Sequence, residues 1–112
     1  MAFNVVVSNR VASKIDATVS YIENVCYNRS YARRLYEIIE ESILELETKE
    51  HFHIRDQEAS HLLLQDVFRI SLGKYRLLYT INSHESVVTV FSFFREAQDL
   101  ETIIVSDFTS AS

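Results

Sequence analysis

Three arginines, Arg69, Arg76 and Arg95, fall in a stretch where apolar and polar residues alternate, and they are this chain's best candidates for chemistry. A guanidinium keeps its charge at any biological pH and grips a phosphate through paired hydrogen bonds. Phe91 and Phe93 lie close by in sequence, and flat aromatic faces can stack unpaired bases for about 1–3 kcal/mol each. If Gly73-Lys74 is a two-residue turn, Ser71 pairs with Arg76 and Arg69 with Leu78. If Ser83-His84 is the tip of the next, Arg76 pairs with Phe91 and Leu78 with Thr89. Side chains alternate faces along a strand, so unbroken alternation gathers Phe68, Ile70, Leu72, Tyr75, Leu77, Tyr79, Val88 and Val90 on one face, a core. The opposite face gathers Arg69, Ser71, Arg76, Thr80, Thr89, Phe91, Phe93 and Arg95.

Such a face suits RNA cleavage by attack of the 2′-hydroxyl, where charge accumulates on the scissile phosphate and preorganised cations stabilise it. In that reading Arg76 and Arg95 stabilise the charge, and Arg69 positions the backbone. Ser71, Lys74, Phe91 and Phe93 are candidate nucleic-acid contacts. The plainer reading is that arginines on an exposed strand face are ordinary, with the phenylalanines covered by the C-terminal segment. No general base suggests itself. His84 reads as a surface turn residue. His51-x-His53 lacks a third ligand at a recognisable spacing, so neither a metal nor another cofactor is expected.

The elements that must position these residues can be read from periodicity. Phe3 to Val7 is β-branched and reads as a short strand. Ser8 or Asn9 can cap a helix in which Val11, Ile15, Thr18/Val19, Ile22 and Val25/Cys26 form an apolar stripe running to about Tyr27. Ser30 can cap a second, striped by Ala32, Leu35/Tyr36, Ile39, Ile43 and Leu46, with its glutamates on the solvated face. So short a link makes the two an antiparallel hairpin. Thr48 to Asp66 reads as polar and irregular. Then the period changes to two: Val67 to Leu72, the only glycine at Gly73, Tyr75 to Ile81, a turn, and Ser86 to Phe94. After Arg95, Leu100, Ile103 and Ile104 keep helical spacing before a Ser/Thr-rich tail. The expected class is α+β: an N-terminal strand, a helical hairpin packed on one face of a mainly antiparallel sheet of three to four strands, and a short C-terminal helix or tail. That arrangement leaves the other face of the sheet at least partly open.

Composition bounds the rest. Residues 1–112 suffice for a single domain with its own core. A lone cysteine, Cys26, excludes an internal disulfide, suits a reducing compartment and reads as a small buried apolar residue. The N-terminus carries no signal-peptide pattern and no apolar run reaches membrane-spanning length, so a cytoplasmic location without membrane contact is expected. The net charge of −5 is uneven. From Val67 to Arg95 four bases face one acid, Glu85, whereas Glu37 to Glu50 and the segment after Arg95 are acidic. A polyanion therefore has only one part of the surface to approach. The acids after Arg95 could also lie near the arginine face and weaken anion binding until displaced; the alternative is that Leu100, Ile103 and Ile104 close the core edge.

The segment Asp66-Val67-Phe68-Arg69-Ile70-Ser71-Leu72-Gly73-Lys74-Tyr75-Arg76-Leu77-Leu78-Tyr79 resembles the central hairpin of the RelE/ParE toxin family, and Val87 to Glu96 is similar to that family's next strand. With the two helices before it, the resemblance covers nearly the whole chain. It implies a toxin of a type II toxin–antitoxin module, neutralised by a cognate antitoxin that wraps the sheet and helices. Some members cleave mRNA in the ribosomal decoding site without metal, and others poison DNA gyrase. By position Arg76 matches the hairpin arginine of the RNA-cleaving branch, Arg95 the basic residue ending the next strand, and Arg69 a strand lysine. Ser71 replaces a second lysine common in that branch, Phe94 stands near a position where some members have histidine, and no tyrosine follows Tyr79. Two functions stay open. One is a ribosome-dependent, metal-independent endoribonuclease, taken first because the three arginines are present. The other is a non-enzymatic gyrase poison; a non-toxic relative kept for complex formation is a third case.

Overall fold

Segments of period two become strands and segments of helical period become helices, and they assemble as one sheet between two layers of helix. The computed structural model describes residues 3–48, 53–96 and 99–111. In chain order the elements are β1 (Asn4–Val7), α1 (Asn9–Asn24), α2 (Arg29–Glu45), β2 (Ile54–Arg55), α3 (Gln57–Leu63), β3 (Phe68–Leu72), β4 (Tyr75–Asn82), β5 (Val87–Arg95) and α4 (Leu100–Ala111). The five strands form one sheet in the order β1-β5-β4-β3-β2. Only β1 with β5 is parallel; the other three pairings are antiparallel. The expected α+β class, with a helical hairpin against a mainly antiparallel sheet, is the observed one.

The helices start where polar side chains can satisfy free N–H groups. Ser8 caps α1, its hydroxyl accepting from the Val11 amide, and Asn28 rather than Ser30 caps α2, accepting from Tyr31. The apolar stripes of both helices (Val11, Ile15 and Ile22; Ala32, Leu35 and Ile39) join Leu72, Leu77, Tyr79, Val88, Val90 and Phe93 in the main core. Helix α1 stops at Asn24, earlier than its stripe suggests. Val25 closes it and Tyr27 reverses the chain at φ 53°, so Cys26 lies exposed beyond the helix, not buried. Gly73 sits at φ +65° with nothing near its missing Cβ, so backbone conformation and not space requires glycine there.

Three further expectations change. The segment read as irregular contains β2 and α3. Asp56 caps α3, and Ala59, Leu62 and Leu63 turn towards the sheet. The sheet's second face is not open, because α3 and α4 cover it. A second core forms there from Ala59, Val67, Leu78, Phe91, Phe94 and Ile104, with Leu100, Ile103 and Phe108 packed against it. The C-terminal segment is accordingly a full helix to Ala111 rather than a loose tail, and its Leu100, Ile103 and Ile104 do close this core.

The third change is register. The first hairpin pairs as expected, Ser71 with Arg76 and Arg69 with Leu78. The second turn spans Ser83 to Ser86, so Asn82 pairs with Val87 and Thr80 with Thr89. That slip of two leaves every side chain on its expected face. A bulge between Leu78 and Tyr79 then shifts the register once more, so that Arg76 pairs with Phe94 and Tyr75 with Arg95. A shift of one residue turns every later side chain to the opposite face. Phe91 and Ser92 both face α4, Phe93 returns to the main core, and Phe94 enters the second.

Candidate functional site

The bulge separates the three arginines. Arg69 and Arg76 share the face covered by α3 and α4, while Arg95 lies on the α1/α2 side, lining a groove with Lys14, Tyr21 and Tyr75. Phe91 is buried against Phe108 at 5.3 Å between centroids, and Phe93 is buried against Tyr75 at 5.4 Å with rings 6° from parallel. Neither has an exposed face for a base. Ser71, opposite Arg76, is exposed, and Lys74 lies in the hairpin turn.

Around Arg76 the arrangement is an ion network. Its Nη1 donates to Asp56 Oδ2 at 2.9 Å, and its Nη2 and Nε donate to Glu96 Oε1 at 2.8 and 3.0 Å. The guanidinium carbon stands 5.6 Å from the Phe94 ring centroid, and the side chain is only 14% exposed. Asp56 is buried; its other oxygen caps α3 through the Ala59 amide, and Arg69 Nη1 lies 4.0 Å from Oδ2. Removing one partner of such a buried pair leaves the other charged and unsolvated, at about 3–5 kcal/mol. The network therefore locks α3 and the chain after β5 onto the sheet.

A second network holds α4. Asp107 is buried, accepts from Ser92 Oγ at 2.7 Å and pairs with Arg10 Nε of α1 at 3.1 Å. Ser60 adds a third tie, accepting from the Val67 amide and donating to its carbonyl. On the other face, His53 Nδ1 is 2.8 Å from the Tyr79 hydroxyl; its sequence partner His51 lies outside the described residues. Burial pushes the Tyr79 phenol up to about 12. Burial, then the nearby Tyr31, push Tyr75 upward against an opposing pull from Arg95.

Sequence reasoning missed Asp56 and Asp107 as partners of arginines; Glu96 it counted among the acids after Arg95 that could lie near the arginine face, and Glu96 does pair with Arg76. Asp56 had a readable signal: an Asp cap, Glu58 in the first turn, apolar Ala59, Leu62 and Leu63 at helical spacing, and His61 near the end. Asp107 had none, since its partners Ser92 and Arg10 come from distant parts of the chain.

This architecture defines a class: a small α+β domain with an N-terminal helical hairpin and a sheet centred on a glycine-turned, arginine-bearing hairpin. Residues 5–100 match the family described as ParE toxin of type II toxin–antitoxin system, parDE. The chain belongs to that family. In fold it is similar to a chain of the archaeal RelE–RelB complex from Pyrococcus horikoshii OT3, with a TM-score of 0.51 and 18% identity over 88% of this chain and 100% of that one. No curated protein matches the sequence. No helix among the described residues is long and apolar enough to cross a membrane.

Proposed function

We propose that this toxin acts in the cytoplasm by binding and poisoning DNA gyrase rather than by cleaving ribosome-bound mRNA, and that a cognate antitoxin neutralises it. The carrying observation is the state of Arg76. The residue on which a phosphate clamp would depend is held by Asp56 and Glu96, on a face filled by α3 and α4. Arg95, the second member of that clamp, lies across the sheet, and the two phenylalanines offered for stacking are core residues. The solved RelE–RelB complex of similar fold supports an antitoxin as partner.

Ribosome-dependent cleavage retains one observation in its favour, that Arg69 and Arg76 do share a face. It requires Glu96 to release Arg76, and α4 to leave the sheet. Expression of the chain from a tight promoter separates the readings. Gyrase-trapped DNA breaks without codon-dependent mRNA cuts in toe-printing are expected; toe-print cuts without trapped breaks overturn the proposal. Arg76→Ala is a poor discriminator, because it strands buried Asp56 and relieves growth arrest through misfolding in either case.

A further inference from the structure

Pairing sorts the cations of this molecule. Arg10, Arg55, Arg69 and Arg76 each lie within 4.0 Å of a carboxylate. Arg29, Arg33 and Arg34 form no ion pair among the described residues, but they follow one another along α2 around a depression lined by a carboxylate, Glu37. Lys14, Lys74 and Arg95 form no ion pair among the described residues. All three line a groove on the α1/α2 side of the sheet, Lys14 at one part, Lys74 at the other and Arg95 at both. It consists of two adjoining depressions of about 360 and 390 Å³ that share Tyr21, Tyr75 and Arg95, within the roughly 300–1,000 Å³ of ligand sites. Among the described residues, no carboxylate lines either depression. In an acidic protein, this is a place where positive charge has been left without an internal partner.

The groove is also aromatic. Tyr21 is 57% and Tyr31 40% exposed, on neighbouring helices, and Tyr75, which lines both depressions, stacks on Phe93. Cations alone would suit any anion. Cations interleaved with half-exposed aromatic rings suit a chain of phosphates that carries unpaired bases. A duplex hides its base faces and would leave the tyrosines nothing to stack on.

We propose that this groove binds a single strand of nucleic acid, its phosphates against Arg95, Lys74 and Lys14 and its bases against Tyr21 and Tyr31. The site lies across the sheet from Arg69 and Arg76 and does not rest on the gyrase reading. It adds to a gyrase poison a contact with exposed strand, and it stands or falls without gyrase in the assay.

The test is fluorescence anisotropy of short labelled oligothymidylate and oligouridylate strands with the full chain, across a salt series. Tyrosine emission is read in parallel, since the chain has six tyrosines and no tryptophan. Binding of either strand with tyrosine quenching is expected, and the two arms decide between DNA and RNA. The double variant Lys74→Ala/Arg95→Ala should weaken binding at least about tenfold and flatten the log–log salt slope by about 1.4, at ~0.7 per phosphate neutralised. Its melting temperature should be unchanged, because neither side chain has a carboxylate partner to lose. Tyr21→Ala should weaken binding by roughly 5- to 150-fold without altering the slope. Arg55→Ala, whose exposed ion pair lies elsewhere, should bind as wild type. The proposal is overturned if neither strand binds, if the double variant binds as wild type, if Arg55→Ala weakens binding as much, or if a duplex or polyglutamate competes as well as the strand.

Discussion

Asp56 does two jobs with two oxygens, capping α3 and neutralising Arg76, and substitutions can separate them. Asp56→Asn keeps an acceptor for the cap and removes only the charge, whereas Asp56→Ala removes both. The expected losses of stability are about 3–5 kcal/mol for Asn, which leaves Arg76 facing an uncharged amide, and roughly 1 kcal/mol more for Ala, which also loses the cap, read as shifts in urea midpoint at constant slope. Equal losses would mean that the cap adds nothing to what the buried charge supplies. Tyr79 makes a pH prediction. Its phenol titrates near 12 when folded and near 10 when unfolded. The unfolded chain therefore releases this proton first as pH rises. The associated stability is complete below about pH 10 and declines between about 10 and 12, by up to about 2–3 kcal/mol. Tyr79→Phe should lower stability at neutral pH, through loss of the His53 contact, and make the alkaline decline shallower in denaturation curves taken at successive pH values.

At the scale of elements, a chain with a single glycine must place other residues in left-handed turns. Tyr27, Leu64 and Ser86 all have positive φ. Leu64 closes α3 at φ 57° and is 89% exposed, so almost no burial offsets the strain. Leu64→Gly should stabilise the protein by about 1 kcal/mol, because glycine adopts this conformation freely at a helix end. At this chain length that corresponds to roughly 4–8 °C in Tm, measurable by calorimetry; a fall in Tm would show that the turn carries no strain. The same scale explains the bulge in β5. It places two successive residues, Phe91 and Ser92, on the α4 side, where one fills the second core and the other meets Asp107.

Across the whole molecule, the sheet is sandwiched between two cores of unequal origin. The main core draws on α1 and α2, which precede the antiparallel strands in the chain, and the second depends on α3 and the C-terminal helix α4. A chain ending at Arg95 would uncover Leu78, Phe91 and Phe94 together. It should lose cooperative unfolding and bind hydrophobic dye while retaining much of its far-ultraviolet circular dichroism. An unchanged, cooperative melt would make α4 an accessory rather than half of the second core. Charge is organised on the same scale: arginines on the α3/α4 side and at the β2 edge are neutralised within the fold, and cations at the hairpin end are left to solvent or to a ligand.

Period by itself determined four of the five strands, the two long helices, the glycine turn and most of the main core, because burial on one face imposes a repeat that the chain displays directly. The residues of the Asp66 to Tyr79 hairpin and of Val87 to Glu96 carried the resemblance to the RelE/ParE toxins. Short α3 was legible only through its Asp cap, its end charges and the spacing of Ala59, Leu62 and Leu63. The site was not legible, and one inserted residue in β5 is the reason. Alternation counts parity, and a bulge reverses parity without leaving any mark in local composition, so Arg95 and Phe93 crossed to the α1/α2 side. Which arginines are paired was likewise decided by tertiary structure, since Asp56 and Glu96 lie 20 positions from Arg76 on either side and meet it only when the sheet and its covering helices are assembled.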